Sequence, residues 1–150
     1  MNNIFTASES QKVIQRIQQL SPTTKGLWGK MTVAQMLAHC NVTYEMIYEN
    51  IHPKPNPILK LILKMFVKNA VVTEKPYKKS SQTAPAFIIK DDKDFEAEKK
   101  RLIDYITKTQ KLGESHFDNK ESHSFGALTK NEWNTMLYKH LDHHLSQFGV

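Results

Sequence analysis

Three of the chain's seven histidines fall within "YKHLDHHLSQF", residues 138–148. His140 and His144 stand four residues apart, the spacing at which two imidazoles on one helix face reach a single ion. Neutral imidazole is the commonest side-chain ligand of transition metals. The chemistry this pattern points to is therefore that of a divalent cation, which lowers the pKa of a bound water or holds a thiol as its thiolate. On a helical wheel with Trp133 at zero, Met136, Leu137, Leu141, Leu145 and Phe148 fill an arc centred near about +40°. His140, near about −20°, and His144, near about +20°, fall inside that arc. His143 lies at its edge, near about −80°, and Asp142 on the opposite side. A single inward histidine is ordinarily a hydrogen-bonded core residue. Two at this spacing carry more polar atoms than an apolar face can satisfy, and a shared ion explains both. His143 is expected at the rim or in water.

A firm site needs a third ligand. The earlier segment "AHC" offers His39 and Cys40. With Val33 at zero, Cys40 falls near about −20°, on the main apolar stripe, and His39 near about −120°, on its flank. A weaker stripe through Met36, Thr43 and Met46 passes His39. Periodicity alone selects Cys40 and leaves His39 open. His116 and His123 are further alternatives, and His52 beside Pro53 reads as plain loop.

The elements that must position these residues are helices. The first is expected over about residues 8–20, opened by a Ser8–Gln11 capping box and stopped at Ser21-Pro22. The second runs from Thr32, with a Thr32–Gln35 box, to about 50; its Glu45 and Glu49 read as solvent-facing. Residues 57–70 form a shorter amphipathic helix with Lys60, Lys64 and Lys68 along one side. Either it lies on an anionic membrane, or it packs on the body with its lysines in water; the second is the expectation. Residues 71–92 read as irregular, with a short extended piece at "AFIIK". The third long helix covers about 92–112 and is capped by Gly113. A polar loop follows over 113–128. The fourth helix starts with a Thr129–Glu132 box and ends near 148. A short first link and a long second one let consecutive helices lie parallel. The expected fold is all-α: one domain, residues 1–150, a four-helix bundle with one long crossover connection and a short extra amphipathic helix.

A lone histidine in the second helix followed by H-x-x-x-H in the last resembles the DinB/YfiT-like metalloenzyme superfamily, and within it an uncharacterised DinB-like domain family. The pieces that carry the resemblance are "LWGKMTVAQMLAHC", "DKDFEAEKKRLIDYI" and "FGALTKNEWNTMLYKHLDHHLSQFG", together covering about residues 27–149. The resemblance implies a metal site of His39, His140 and His144, in place of Cys40, holding zinc or nickel. It also implies transfer of a low-molecular-weight thiol such as bacillithiol to a small electrophile, with metal-hydroxide hydrolysis as a variant. A small-molecule substrate and a homodimer are the partners expected. Many relatives read H-H-R-G-Q where this chain has His143-His144-Leu145-Ser146-Gln147, so a role for that Arg in binding an anion does not carry over. No basic residue of the third helix is assigned in its stead. The alternative is a non-catalytic metal-binding or dimerisation bundle.

Bulk properties bound these readings. The chain has 150 residues, net charge +6 and a single cysteine, Cys40. An internal disulfide is excluded and a reducing, cytoplasmic setting is expected. No secretory signal is visible at the start, and the most apolar run is broken by Lys60, Lys64 and Lys68, which excludes a membrane span. No phosphate loop, dinucleotide fingerprint, Ser–His–Asp set or helix-turn-helix signal is present, and nucleic acid is not an expected partner.

Overall fold

The structure is a computed structural model in which residues 2–81 and 83–150 are described. It is predominantly helical, with one small hairpin. In chain order the elements are α1 (Ala7–Gln18), α2 (Val33–Tyr48), α3 (Pro57–Phe66), α4 (Lys68–Val72), a 3-10 turn (Pro85–Phe87), α5 (Phe95–Phe117), β1 (Lys120–Ser122), β2 (Gly126–Leu128) and α6 (Lys130–Gln147). Among the described residues, no helix is long and apolar enough to cross a membrane.

Two capping boxes stand where the sequence puts them. Thr32 accepts from the Gln35 amide at 3.2 Å while the Gln35 side chain accepts from the Thr32 amide at 3.0 Å. Thr129 and Glu132 exchange the same pair at 3.3 and 2.9 Å. These boxes fix where α2 and α6 begin, and so the phase of the histidines along each. The first helix differs from expectation. Thr6 caps it, accepting from the Glu9 amide, and Ser8 is already inside the helix. A cap needs extended backbone, which Thr6 has at φ −84°, ψ 144°.

Helices α1, α2, α5 and α6 pack around one core built from Val13, Ile17, Met36, Leu37, Tyr44, Leu102, Ile106, Trp133, Leu137 and Leu141. The residues between α2 and α5 form a long crossover that carries α3, α4 and the 3-10 turn. Asp94 caps α5 by accepting from the Ala97 amide at 2.7 Å, so the helix starts three residues later than expected. Gly113 adopts φ 73°, ψ 169° as a stop signal should, yet the chain turns helical again as far as Phe117. The cause is tertiary. Phe117 is fully buried between Phe5 and Trp133, with ring centroids 5.0 and 5.4 Å away. Beyond it the expected polar loop is an antiparallel hairpin, with Lys120 paired to Leu128 and Ser122 to Gly126. The Trp133 indole donates to the Lys120 carbonyl, tying hairpin to α6. The all-α expectation is thus corrected by one small sheet, and the start of "AFIIK" lies in the 3-10 turn Pro85–Phe87, with Ile88 extended after it.

The amphipathic segment departs furthest. It breaks at Val67 into α3 and α4, and α3 buries no residue. Lys60 pairs with Glu121 at 3.1 Å and Lys68 with Glu132 at 2.8 Å, both on the protein body. The lysine side turns inward and the apolar side outward, the reverse of the expected packing.

Candidate metal centre

Helix α6 presents His140 and His144 one turn apart, and α2 brings His39 against them. One ligand atom from each of the three lies within 4.8 Å of the others. Ring centroids are 5.0 Å apart for His39 and His140, 4.4 Å for His39 and His144, and 4.9 Å for His140 and His144. His39 Nε2 stands 3.0 Å from His140 Nε2. Four-coordinate zinc with nitrogens at ~2.0–2.1 Å sets neighbouring ligand atoms roughly 3.3 Å apart, so this spacing suits a shared ion.

The other ring nitrogens decide the tautomers. His39 Nδ1 lies 2.8 Å from the Phe87 carbonyl, which only accepts, so Nδ1 carries the proton. Gln147 donates its amide to the Trp28 carbonyl at 2.9 Å, which turns its oxygen toward His144 Nδ1 at 2.8 Å. His144 Nδ1 therefore donates as well. His140 Nδ1 is 3.2 Å from the Thr43 hydroxyl, which can accept. With each Nδ1 donating, each neutral ring keeps its Nε2 lone pair for the centre. Outer hydrogen bonds of this kind orient metal-ligating histidines. Gly29 makes room for the Gln147 bridge: its φ is +82°, and a Cβ there would stand 2.5 Å from Gln147 Nε2.

Burial keeps the three rings neutral. Desolvation lowers the His39 pKa, with the Phe87 hydrogen bond opposing it. Desolvation and then the neighbouring His144 and His39 hold His140 well below the ordinary value. Desolvation, then His39, takes His144 down to about 3. Neutral imidazole is the form a metal requires. His39 and His144 are buried, and His140 is of intermediate exposure.

The rim is aromatic and basic. His143 stands edge-on to Trp28 and Tyr77, with centroids 5.9 and 5.6 Å away. The Lys79 ammonium lies 4.3 Å above the Trp28 ring. Lys139 is buried beside His140. Its ammonium donates to the carbonyls of Ala70, Thr73 and Lys75 at 2.8, 2.5 and 3.1 Å and sits over the Tyr77 ring. It pins the crossover that delivers Tyr77 to the rim. Sequence reasoning missed Phe87, Gln147, Trp28 and Lys139. Gln147, three residues after His144, was open to the helical wheel; Lys139, whose partners are backbone carbonyls of a distant segment, left no signal.

The other candidates lie elsewhere. Cys40 is buried in the core with its thiol 3.8 Å from the Met36 sulfur, and burial pushes its pKa up. His116 packs against Phe117, and His123 reaches Ser124 and the His52 carbonyl. His52 is not plain loop, since it meets the Glu45 carboxylate at 2.7 Å. Glu45 is not solvent-facing either. It is buried between α2 and α5 and pairs with Arg101 at 2.9 Å. Arg101 also pairs with Glu98, whose carboxylate accepts from Asn41. This basic residue of α5 serves that network and is not part of the three-histidine group.

A family model described as "Protein of unknown function (DUF1569)" matches residues 3–149, and the chain belongs to that family. No curated protein and no solved structure matches it.

Proposed function

We propose that this member of the DUF1569 family holds a divalent metal ion, zinc or nickel, through His39, His140 and His144, in a four-helix bundle of the DinB/YfiT-like type with one long crossover. One observation carries the reading: Nδ1 of all three rings faces an oxygen able to accept, so three lone pairs converge on one point. Two unprotonated nitrogens 3.0 Å apart repel unless a cation or a proton lies between them. The low proton affinity of these rings favours a metal over a proton.

A divalent ion there would supply Lewis acidity, lowering the pKa of a water or thiol at its open position. The chain's own residues would do the rest. Phe87, Thr43 and Gln147 hold the rings in orientation. Trp28, Tyr77 and His143 wall the approach and exclude water. Lys79 favours an anionic small molecule at the rim. The reaction class is transfer of a low-molecular-weight thiol such as bacillithiol to a small electrophile, or hydrolysis. A reducing cytoplasm would keep such a thiol available. A second reading is a non-catalytic metal-binding or dimerisation bundle, favoured by one observation. Among the groups that shift the three imidazoles, none is a carboxylate.

Elemental analysis of untagged protein tests the site. We expect one ion per chain and its loss in His140→Ala and His144→Ala. Absence of stoichiometric metal after supplementation refutes the assignment. Thiol-transfer activity lost in the same variants favours the enzyme. Metal binding without such activity favours the module.

A further inference from the structure

Helix α3 carries its apolar side into solvent. Ile58, Leu59, Leu61, Ile62, Met65 and Phe66 are 74%, 45%, 57%, 47%, 62% and 74% exposed. On a helical wheel they occupy one continuous arc of about 160°. Together they expose roughly 700 Å², above the ~300–600 Å² of the largest apolar patch on a typical monomer. The helix is held this way round by the ion pairs of Lys60 with Glu121 and Lys68 with Glu132, and Lys64 reaches toward the Gly126 turn. Asn56 caps its start and Pro57 occupies its first turn, so it is a formed helix without any cover.

Charge identifies the cover. Residues 51–90 contain eight of the chain's 21 basic residues, all lysines, and one of its 15 acidic residues, Glu74. The whole net charge of +6 is accounted for by this segment. Lys54, Lys75, Lys78, Lys79 and Lys90 within it are exposed. Pairing two copies through this face would bring two cationic segments together, which opposes a dimer. A surface that is apolar at its centre and negative around it complements both properties at once.

We propose that α3 is an interfacial anchor that seats this protein on an anionic lipid bilayer, with the apolar arc among the acyl chains and the crossover lysines among the phosphate headgroups. Such a helix lies between the body and the bilayer, which is why its lysine side faces the body. The crossover that carries the anchor also delivers Tyr77 and Phe87 to the histidine group, so binding would bring that centre close to the membrane surface.

Co-sedimentation of the full chain with vesicles tests this. Phosphatidylcholine vesicles containing one-third phosphatidylglycerol should pellet the protein, pure phosphatidylcholine should do so at least ~10-fold less, and ~0.5 M salt should release it. Ile62→Ser with Phe66→Ser alters only exposed side chains. It should keep Tm and metal content and lose vesicle binding about 10-fold or more. Lys75→Gln with Lys78→Gln should lower binding to the anionic vesicles while leaving the weak binding to phosphatidylcholine unchanged. No pelleting with anionic vesicles overturns the proposal, as does equal binding to both vesicle types. A solution dimer dissociated by Ile62→Ser with Phe66→Ser, without vesicle binding, overturns it in favour of a second copy.

Discussion

Two polar clusters share helix α2, and they have been settled in opposite ways. On the side facing α5, Glu45 and Glu98 meet Arg101, His52 meets Glu45, and Asn41 donates to Glu98. Positive groups oppose negative ones there, although Asn41 Oδ1 and Arg101 Nε stay buried without a partner. On the side facing α6, His39, His140 and His144 bring their ring nitrogens toward one another, His39 Nε2 and His140 Nε2 standing 3.0 Å apart. The first cluster fastens two helices. The second is a group that could hold a metal ion. Burial alone does not distinguish them; the first brings opposite charges together and the second gathers like acceptors.

Metal removal should separate the clusters most sharply. A ligand present at about 1,000 times its Kd adds about 4 kcal/mol to stability, so chelation should lower Tm by roughly 10 °C and zinc or nickel should restore it. Equal melting with and without metal would erase the contrast. Next in size is Arg101→Met, which leaves the mostly buried carboxylates of Glu45 and Glu98 without their cation. We expect a loss of about 3 kcal/mol by denaturant titration, with metal content unchanged. Loss of metal would instead join the two clusters into one site.

Acid should come third. The three imidazoles have pKa values lowered from 6.5 in the folded chain, so below that value the unfolded chain binds more protons. Their contribution is complete above about pH 6.5 and is lost progressively as pH falls, for His144 down to about 3. Metal-free protein should therefore lose several degrees of Tm between pH 7 and pH 5, and His144→Gln should flatten that slope. The smallest effect is Gln147→Ala, which removes the acceptor that orients His144. Metal affinity should fall about tenfold, read by competition with a chelating dye, and the metal-free form should lose about 1 kcal/mol as the Trp28 carbonyl and His144 Nδ1 lose their partner.

Much of the centre was legible. The arc on α6 contained His140 and His144 because that helix has one apolar face, and the Thr129–Glu132 box fixed its phase. On α2 the same reasoning selected Cys40 and left His39 on the flank, because that helix is buried almost all round, from Val33 to Glu45. A helix gripped by two neighbours has two inward faces, and one wheel stripe describes only one. The same crowding hid Glu45, whose partners come from α5 and the loop at His52. Gly113 read as a stop, and its backbone is one, but the Phe117 anchor lies in contacts with Phe5 and Trp133 that no local pattern encodes. For α3, periodicity found both faces correctly. Which of them meets the body depended on Glu121 and Glu132, more than fifty residues away.

Lys139 has a consequence for the order in which the molecule assembles. Its ammonium closes on three carbonyls of residues 70–75, about sixty-five positions earlier in the chain. During synthesis the crossover therefore stays unlatched until α6 has emerged and docked. His140 and His144 on α6 arrive with the latch, so the three-histidine group and its cover form in the same late step. A folding intermediate with α1, α2 and α5 in place would still have an open, one-histidine site.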